Sequence, residues 1–178
     1  MEFIKGMDIS MVKELEYYGA SYRLNGKEED LFHLLHECGT NMVRIRIWPD
    51  PYDEKGNSYG GGGNDLQTTI EIARRTVECG MDFMLDFHYS DFWADPAKQV
   101  KPKAWKELSG QALETAVYLH TLDTLKTLKN QKLVPAMVQV GNEITKGLLW
   151  PDGYVDRTQS MAQLLEAGIK GVREECPD

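Results

Sequence analysis

Residues 133 to 146 read Leu-Val-Pro-Ala-Met-Val-Gln-Val-Gly-Asn-Glu-Ile-Thr-Lys, an apolar run that breaks off at Gly141, Asn142 and Glu143. Such a run reads as a buried parallel strand with its polar residues gathered at the carboxyl end. That end is where α/β barrels keep their chemistry, and a carboxylate preceded by a carboxamide suits it. Burial of Glu143 in a cleft raises a carboxyl pKa, so the group can hand a proton to a leaving oxygen near neutral pH. The competing reading is that Asn142 and Glu143 only cap the loop into the next helix.

Three earlier stretches have the same form. Phe3 to Ser10 has strand character, with Gly6, Asp8 and Ser10 on one parity and Asp8 near the carboxyl end. Asn41 to Trp48 alternates, with Val43, Ile45 and Ile47 on one face and Arg44, Arg46 and Trp48 on the other; Pro49 and Pro51 stop it. In a one-sided sheet the arginines face water. In a closed barrel they point inward, which is tolerable only beside carboxylates. Met81 to His88 is the third strand, with Asp86 and His88 sharing a parity. It runs into the polar, aromatic stretch Tyr89 to Pro96, which reads as a binding loop.

Amphipathic stripes separate the strands. Leu31, Leu34, Leu35 and Cys38 recur from Glu28 up to Gly39, and Leu66, Ile70, Ala73 and Val77 recur from an N-cap at Asn64 or Asp65 up to Gly80. Leu113, Val117, Leu125 and Leu128 mark a third helix opening at Ser109. Met161, Leu164, Leu165, Gly168, Ile169 and Val172 mark a fourth from about Thr158 to Glu175, ended by Cys176-Pro177-Asp178. The segments 11–27, 96–108 and 145–156 read as loops. Strands beginning near 3, 41, 81 and 133 give successive spacings of 38, 40 and 52 residues, a βα unit four times over. That order predicts a single domain, 1–178, with a parallel sheet, open or barrel-shaped. An eight-fold barrel takes ~250 residues, so the expected fold is the amino-terminal half, (βα)4, of a (β/α)8 TIM barrel.

Composition narrows the function. With 42% hydrophobic and 27% charged residues the chain has an ordinary globular make-up, which argues against low-complexity disorder. The net charge of -8, with 20 Lys and Arg scattered rather than clustered, argues against nucleic acid as a partner. No apolar run approaches the ~20 residues of a membrane span. No signal-type apolar segment follows Met1, which leaves a cytoplasmic chain and a secreted one starting after its cleavage site both open. Cys38, Cys79 and Cys176 are far apart and read as small buried or helix-end residues, neither a disulfide framework nor a zinc spacing.

Candidate chemistry collects at one rim. Asn142 and Glu143 stand there with Asp8, Arg44, Arg46, Asp86 and His88. Glycoside cleavage needs a proton donor, a second carboxylate about 5 Å away for retention or roughly 6.5–9.5 Å for inversion, and donors to sugar hydroxyls. Tyr89, Trp93, Trp105 and Trp150 are candidate platforms for sugar faces. A metal held by Asp86, His88 and Asp91 is a weaker reading, because hydrolytic sites want more imidazoles, and His33, His36 and His120 fall on helices outside the fold. The Gly-rich 59–65 loop lacks a phosphate-loop ending, and Ser10, Ser90 and Cys79 occupy no nucleophile elbow.

Four motifs in order, Phe-Ile-Lys-Gly-Met-Asp-Ile-Ser (3–10), Val-Arg-Ile-Arg-Ile-Trp (43–48), Leu-Asp-Phe-His-Tyr-Ser-Asp-Phe-Trp-Ala-Asp-Pro (85–96) and Val-Gln-Val-Gly-Asn-Glu (138–143), resemble the endo-β-1,4-galactanases of glycoside hydrolase family 53. The resemblance implies a (β/α)8 barrel of the large retaining clan, with catalytic glutamates after strands four and seven and β-1,4-galactan as substrate. It implies Glu143 as acid/base and Asn142 as the partner of the sugar 2-hydroxyl. It implies Arg46, with Arg44, as partners of the nucleophilic carboxylate, and Asp8, His88 and Trp93 as the lining of the subsite of the sugar being cleaved. It favours secretion. The chain departs from the pattern by stopping after the fourth helix. The strand-seven glutamate has no counterpart, and the calcium of some members belongs to later loops, so no cofactor or metal is expected here. The expectation is an inactive half barrel whose open edges favour self-association.

Overall fold

The computed structural model describes residues 3–176, so Pro177 and Asp178 of the expected helix end lie outside the described residues. Four parallel strands form one sheet in the order β1-β4-β5-β6: β1 (Gly6–Asp8), β4 (Met42–Ile47), β5 (Asp82–Phe87) and β6 (Met137–Val140). Helices α2 (Leu31–Glu37), α3 (Leu66–Glu78), α4 (Gly110–Asn130) and α5 (Thr158–Glu175) follow them in turn. The chain is therefore the (βα)4 half of a TIM barrel.

One face of the sheet packs on the helices. Val43, Ile45, Ile47, Phe83, Leu85 and Phe87 are each at most 1% exposed, and burying each side chain contributes ~1.5–3 kcal/mol. Asp30 caps α2 through the amides of Phe32 and His33, and Asp65 caps α3 through the amide of Thr68. Gly168 lets α5 lie against the sheet, since a Cβ there would stand 2.6 Å from Val140 Cγ1 and 2.7 Å from Tyr89 Oη.

The structure departs from the sequence reading in several places. Segment 11–27 is not a loop: it holds α1 (Val12–Tyr17) and a hairpin of β2 (Tyr22–Leu24) and β3 (Lys27–Glu29). The hairpin turns at Asn25 and Gly26, both at positive φ, as a two-residue turn requires. Accordingly α2 begins at Leu31 rather than Glu28. Segment 145–156 contains a second hairpin, β7 (Gly147–Leu148) with β8 (Gly153–Tyr154). The strand expected over 133–143 is regular only from Met137 to Val140.

Two helix stripes are shifted in phase. Val77 and Ile169 are 43% and 49% exposed, while Thr69, Ile72 and Thr76 on α3 and Gly171 on α5 are buried instead. Thr76 manages this by donating to the Ile72 carbonyl, and Gly171 by fitting against the Tyr118 backbone. All three cysteines are free and sit at helix C-caps; Cys38 is exposed rather than buried. His33 and His36 are exposed as expected, but His120 is packed among Phe87, Tyr89 and Trp105. Burial pushes its pKa down to about 4.

Candidate active site

Period-two alternation in β4 sends Arg44 and Arg46 to the face opposite the helices, and the register sets Arg44 beside Asp8, Arg46 beside Asp86, and Asp86 in turn beside Gln139. The inward reading of the arginines therefore holds, and the carboxylates it requires are present. Arg44 is the hub. Its Nη1 donates to Asp8 Oδ2 at 2.6 Å, and its Nη2 donates to Asp86 Oδ2 at 2.6 Å and to Asn142 Oδ1 at 2.8 Å. One planar cation thus links the carboxyl ends of all four strands.

Asp8 keeps its charge in this setting. Burial raises its carboxyl, but the Arg46 charge and hydrogen bonds from Ser10 and Arg44 outweigh that and hold it below the usual range. Ser10, unremarkable as a nucleophile, is a clasp: its hydroxyl donates to Asp8 Oδ1 at 2.8 Å and accepts from the Arg46 amide at 2.9 Å. Asp86 and His88 are at most 1% exposed, with His88 Nε2 2.9 Å from Asp86 Oδ2. The Ala94 amide donates to His88 Nδ1 at 3.3 Å, which leaves Nε2 on the Asp86 side of the ring. Arg46 is buried, 3.6 Å from Asp8 and stacked 4.1 Å above the Trp93 ring. Its Nε and Nη1 have no hydrogen-bond partner among the described residues.

Asn142 is held on both ends of its amide. Its Oδ1 accepts from Arg44 and, at 3.2 Å, from Gln139 Nε2, while its Nδ2 donates to the Ala94 carbonyl at 2.8 Å. Glu143 follows in the left-handed region, φ 49°, ψ 45°. It begins a short 3-10 turn, Ile144–Lys146, yet its side chain makes no capping bond, so the capping reading has no support in the geometry. Glu143 is exposed, against the buried carboxyl expected of it. The physical reason is that, among the described residues, β6 is an edge strand paired with β5 alone, so no further strand walls its far side.

The aromatic candidates divide. Trp93 and Trp150 line a cleft of about 710 Å³ together with Tyr59, Phe92, Lys98 and Lys106. Tyr89 and Trp105 are packing residues instead. Tyr89 is fully buried and hydrogen-bonded to Thr121, and Trp105 lies against His120. The metal reading of Asp86, His88 and Asp91 fails on geometry. Asp91 points away, accepting from the Asp50 and Lys103 amides, and among the described residues no group of three His, Cys, Asp or Glu could hold a metal ion. Among the described residues no helix is long and apolar enough to cross a membrane.

Sequence reasoning passed over Gln139 and Gln99. Gln139 is the lone polar residue inside the β6 run, a signal that period two could have read. Gln99 had no such signal.

Half of a TIM barrel with an arginine-bridged carboxylate cluster and an Asn-Glu pair at its strand ends defines a chain of the glycoside hydrolase barrel class. More narrowly, the chain belongs to glycosyl hydrolase family 53, whose family model matches residues 4–178. It is 49% identical over 174 residues to the endo-β-1,4-galactanase of Bacillus subtilis (strain 168), covering 97% of this chain and 40% of that protein. It is 38% identical over 172 residues to the arabinogalactan endo-β-1,4-galactanase of Humicola insolens, covering 96% and 49%. Among solved structures it resembles the Ignisphaera aggregans GH53 catalytic domain, with TM-score 0.95 and 45% identity over 98% of this chain and 49% of that one. A fungal β-1,4-galactanase follows with TM-score 0.89 and 37% identity, covering 97% and 50%. The chain thus spans about half the length of the relatives it matches.

Proposed function

We propose that this chain carries the acid/base half of a retaining endo-β-1,4-galactanase site, acting on the galactan side chains of pectic arabinogalactan. The observation that supports this most is the location of Glu143, directly after the clamped Asn142 at the carboxyl end of β6, beside the Arg44–Asp86 cluster. The names of the relatives supply the substrate class.

In this reading protonated Glu143 gives its proton to the glycosidic oxygen while a second carboxylate attacks the anomeric carbon, and Glu143 then takes a proton from water to release the sugar. Retention needs the two carboxyl groups about 5–5.5 Å apart. Asp8 and Asp86 are poorly suited to be the second one, because Arg44 holds both and Asp86 has no exposure. The nucleophile in this account is the strand-seven glutamate of the family pattern, absent from these 178 residues. Arg46, with a guanidinium short of partners, is suited to stabilise that carboxylate. Asn142 bonds the sugar 2-hydroxyl, Asp8 and His88 line the same subsite, and Trp93 offers its face to the ring.

The edges of β1 and β6, unpaired among the described residues, favour one second reading, a non-catalytic sugar-binding or assembly module. Light scattering and reducing-end assay on the same sample of the 178-residue chain separate the cases. The galactanase-half reading expects no cleavage of β-1,4-galactan by the isolated chain. Cleavage by a compact monomer would overturn the assignment of the nucleophile, since one of Asp8, Asp86 or Asp91 would then have to serve. A defined dimer that binds galactan without cutting it would favour the module.

A further inference from the structure

We infer that Gln99 is the positioning residue for Glu143, holding the Asn142–Glu143 backbone in the left-handed turn that aims the carboxyl; the inference rests on the acid/base reading of Glu143. Gln99 lies in the loop after β5 and is 2% exposed. Its Nε2 donates to the Asn142 carbonyl at 2.8 Å and reaches the Asp95 carbonyl at 3.3 Å and the Glu143 carbonyl at 3.5 Å. The Gln99 backbone carbonyl accepts from the Trp150 amide at 2.7 Å, within a parallel bridge between Val100 and Trp150. One residue thus ties the loop after β5 to both sides of the turn that carries Glu143.

The turn needs such a tie. A glutamate at φ 49° occupies a region that L side chains rarely adopt, and its side chain makes no capping bond to offset the strain. Preceding Gly141, at φ 89°, imposes no restraint of its own. The Asn142 side chain is fixed by Arg44, Gln139 and Ala94, and the Glu143 carbonyl is engaged as the N-cap of the 3-10 turn, which leaves the Asn142 carbonyl as the free variable. A buried amide donor is the group that can satisfy it, and among the described residues Gln99 supplies it at 2.8 Å. A carboxylate in the same place has no proton to donate and would face carbonyl oxygens.

The chemistry gives a test on the 178-residue chain itself. Backbone and carboxyl 13C shifts of Asn142 and Glu143 are recorded by NMR for the wild type, Gln99→Leu, Gln99→Met and Gln99→Glu. The expected result for the Leu and Met variants is loss of the left-handed signature at Glu143, with the shifts of β4 and the first half of β5 unchanged. Gln99→Glu is expected to lose the signature at neutral pH and to regain it on acidification, when the buried carboxyl is protonated and can donate one hydrogen bond. The wild type should show no such recovery. Unchanged Glu143 shifts in the variants, loss spread through the sheet in both Leu and Met variants, or a Gln99→Glu effect without pH dependence would each overturn the inference. Because the readout is the conformation of Glu143, its failure is separable from failure of the galactanase reading, which is judged by cleavage.

Discussion

Replacing Arg44 with Met should cost roughly 3–5 kcal/mol, nearly all of it through Asp86. The Asp8 side chain is 33% exposed and its pair with Arg44 is correspondingly screened, worth at most ~1 kcal/mol. Asp86 is different: its side chain has no exposure, and Arg44 Nη2 is its cationic partner at 2.6 Å. Removing Arg44 leaves the buried Asp86 carboxylate without a cation in hydrogen-bond contact, the Arg46 charge being its remaining neighbour, and breaking such a buried pair costs ~3–5 kcal/mol. For a domain of this size that corresponds to a fall in Tm of roughly 6–20 °C. The double variant Arg44→Met with Asp86→Asn removes the stranded charge as well and should recover at least half of the loss. Urea unfolding followed by circular dichroism, with midpoints and slopes for the two single variants and the double, gives the cycle. A single-variant cost below ~1 kcal/mol, or a double variant no more stable than Arg44→Met, would refute the reasoning that Arg44 is there to neutralise a buried carboxylate.

Further outcomes follow from other parts of the molecule. His120 has its folded pKa depressed to about 4 from 6.5, so the unfolded chain binds the proton more readily and stability should be lost as pH falls from 6.5 toward 4. That loss, of order 2–3 kcal/mol, should disappear in His120→Phe when urea midpoints are compared across the window. Gly168→Val should destabilise by about 1–3 kcal/mol in the same assay, because the added atoms meet Val140 and Tyr89. The open edges and the 44% exposed Met137 should give concentration-dependent self-association in light scattering, weakened by Met137→Lys; a monomer at every concentration would contradict this.

What could be read in the sequence follows the strength of the local signal. The four strands, their parity and the helix ends at Gly39 and Gly80 were legible because period two, period 3.6 and glycine at positive φ are each set within a few residues. The inward turn of Arg44 and Arg46 was legible only as a conditional, resolved once Asp8 and Asp86 were found opposite them. The Asn25-Gly26 hairpin carried its signal in the open, but the six residues of α1 are too few to show a period. Val77 and Ile169 were misplaced because threonine and glycine, weakly hydrophobic by type, took the buried positions. The exposure of Glu143 depends on what lies beyond the β6 edge, and the role of Gln99 on a loop-to-loop contact 43 residues away in sequence, neither of which any local pattern encodes.

The central claim is that Glu143 is the proton donor of a galactan-cleaving pair whose other member lies beyond these residues. It is tested most directly by joining this chain to the second half of its Bacillus subtilis relative and measuring reducing-end release from β-1,4-galactan, with Glu143 intact and with Glu143→Gln. The account expects cleavage by the joined protein, none by the 178-residue chain alone, and a drop of about 10²–10⁴-fold on losing the Glu143 proton. A Glu143→Gln protein that cuts galactan as fast as its parent would contradict it.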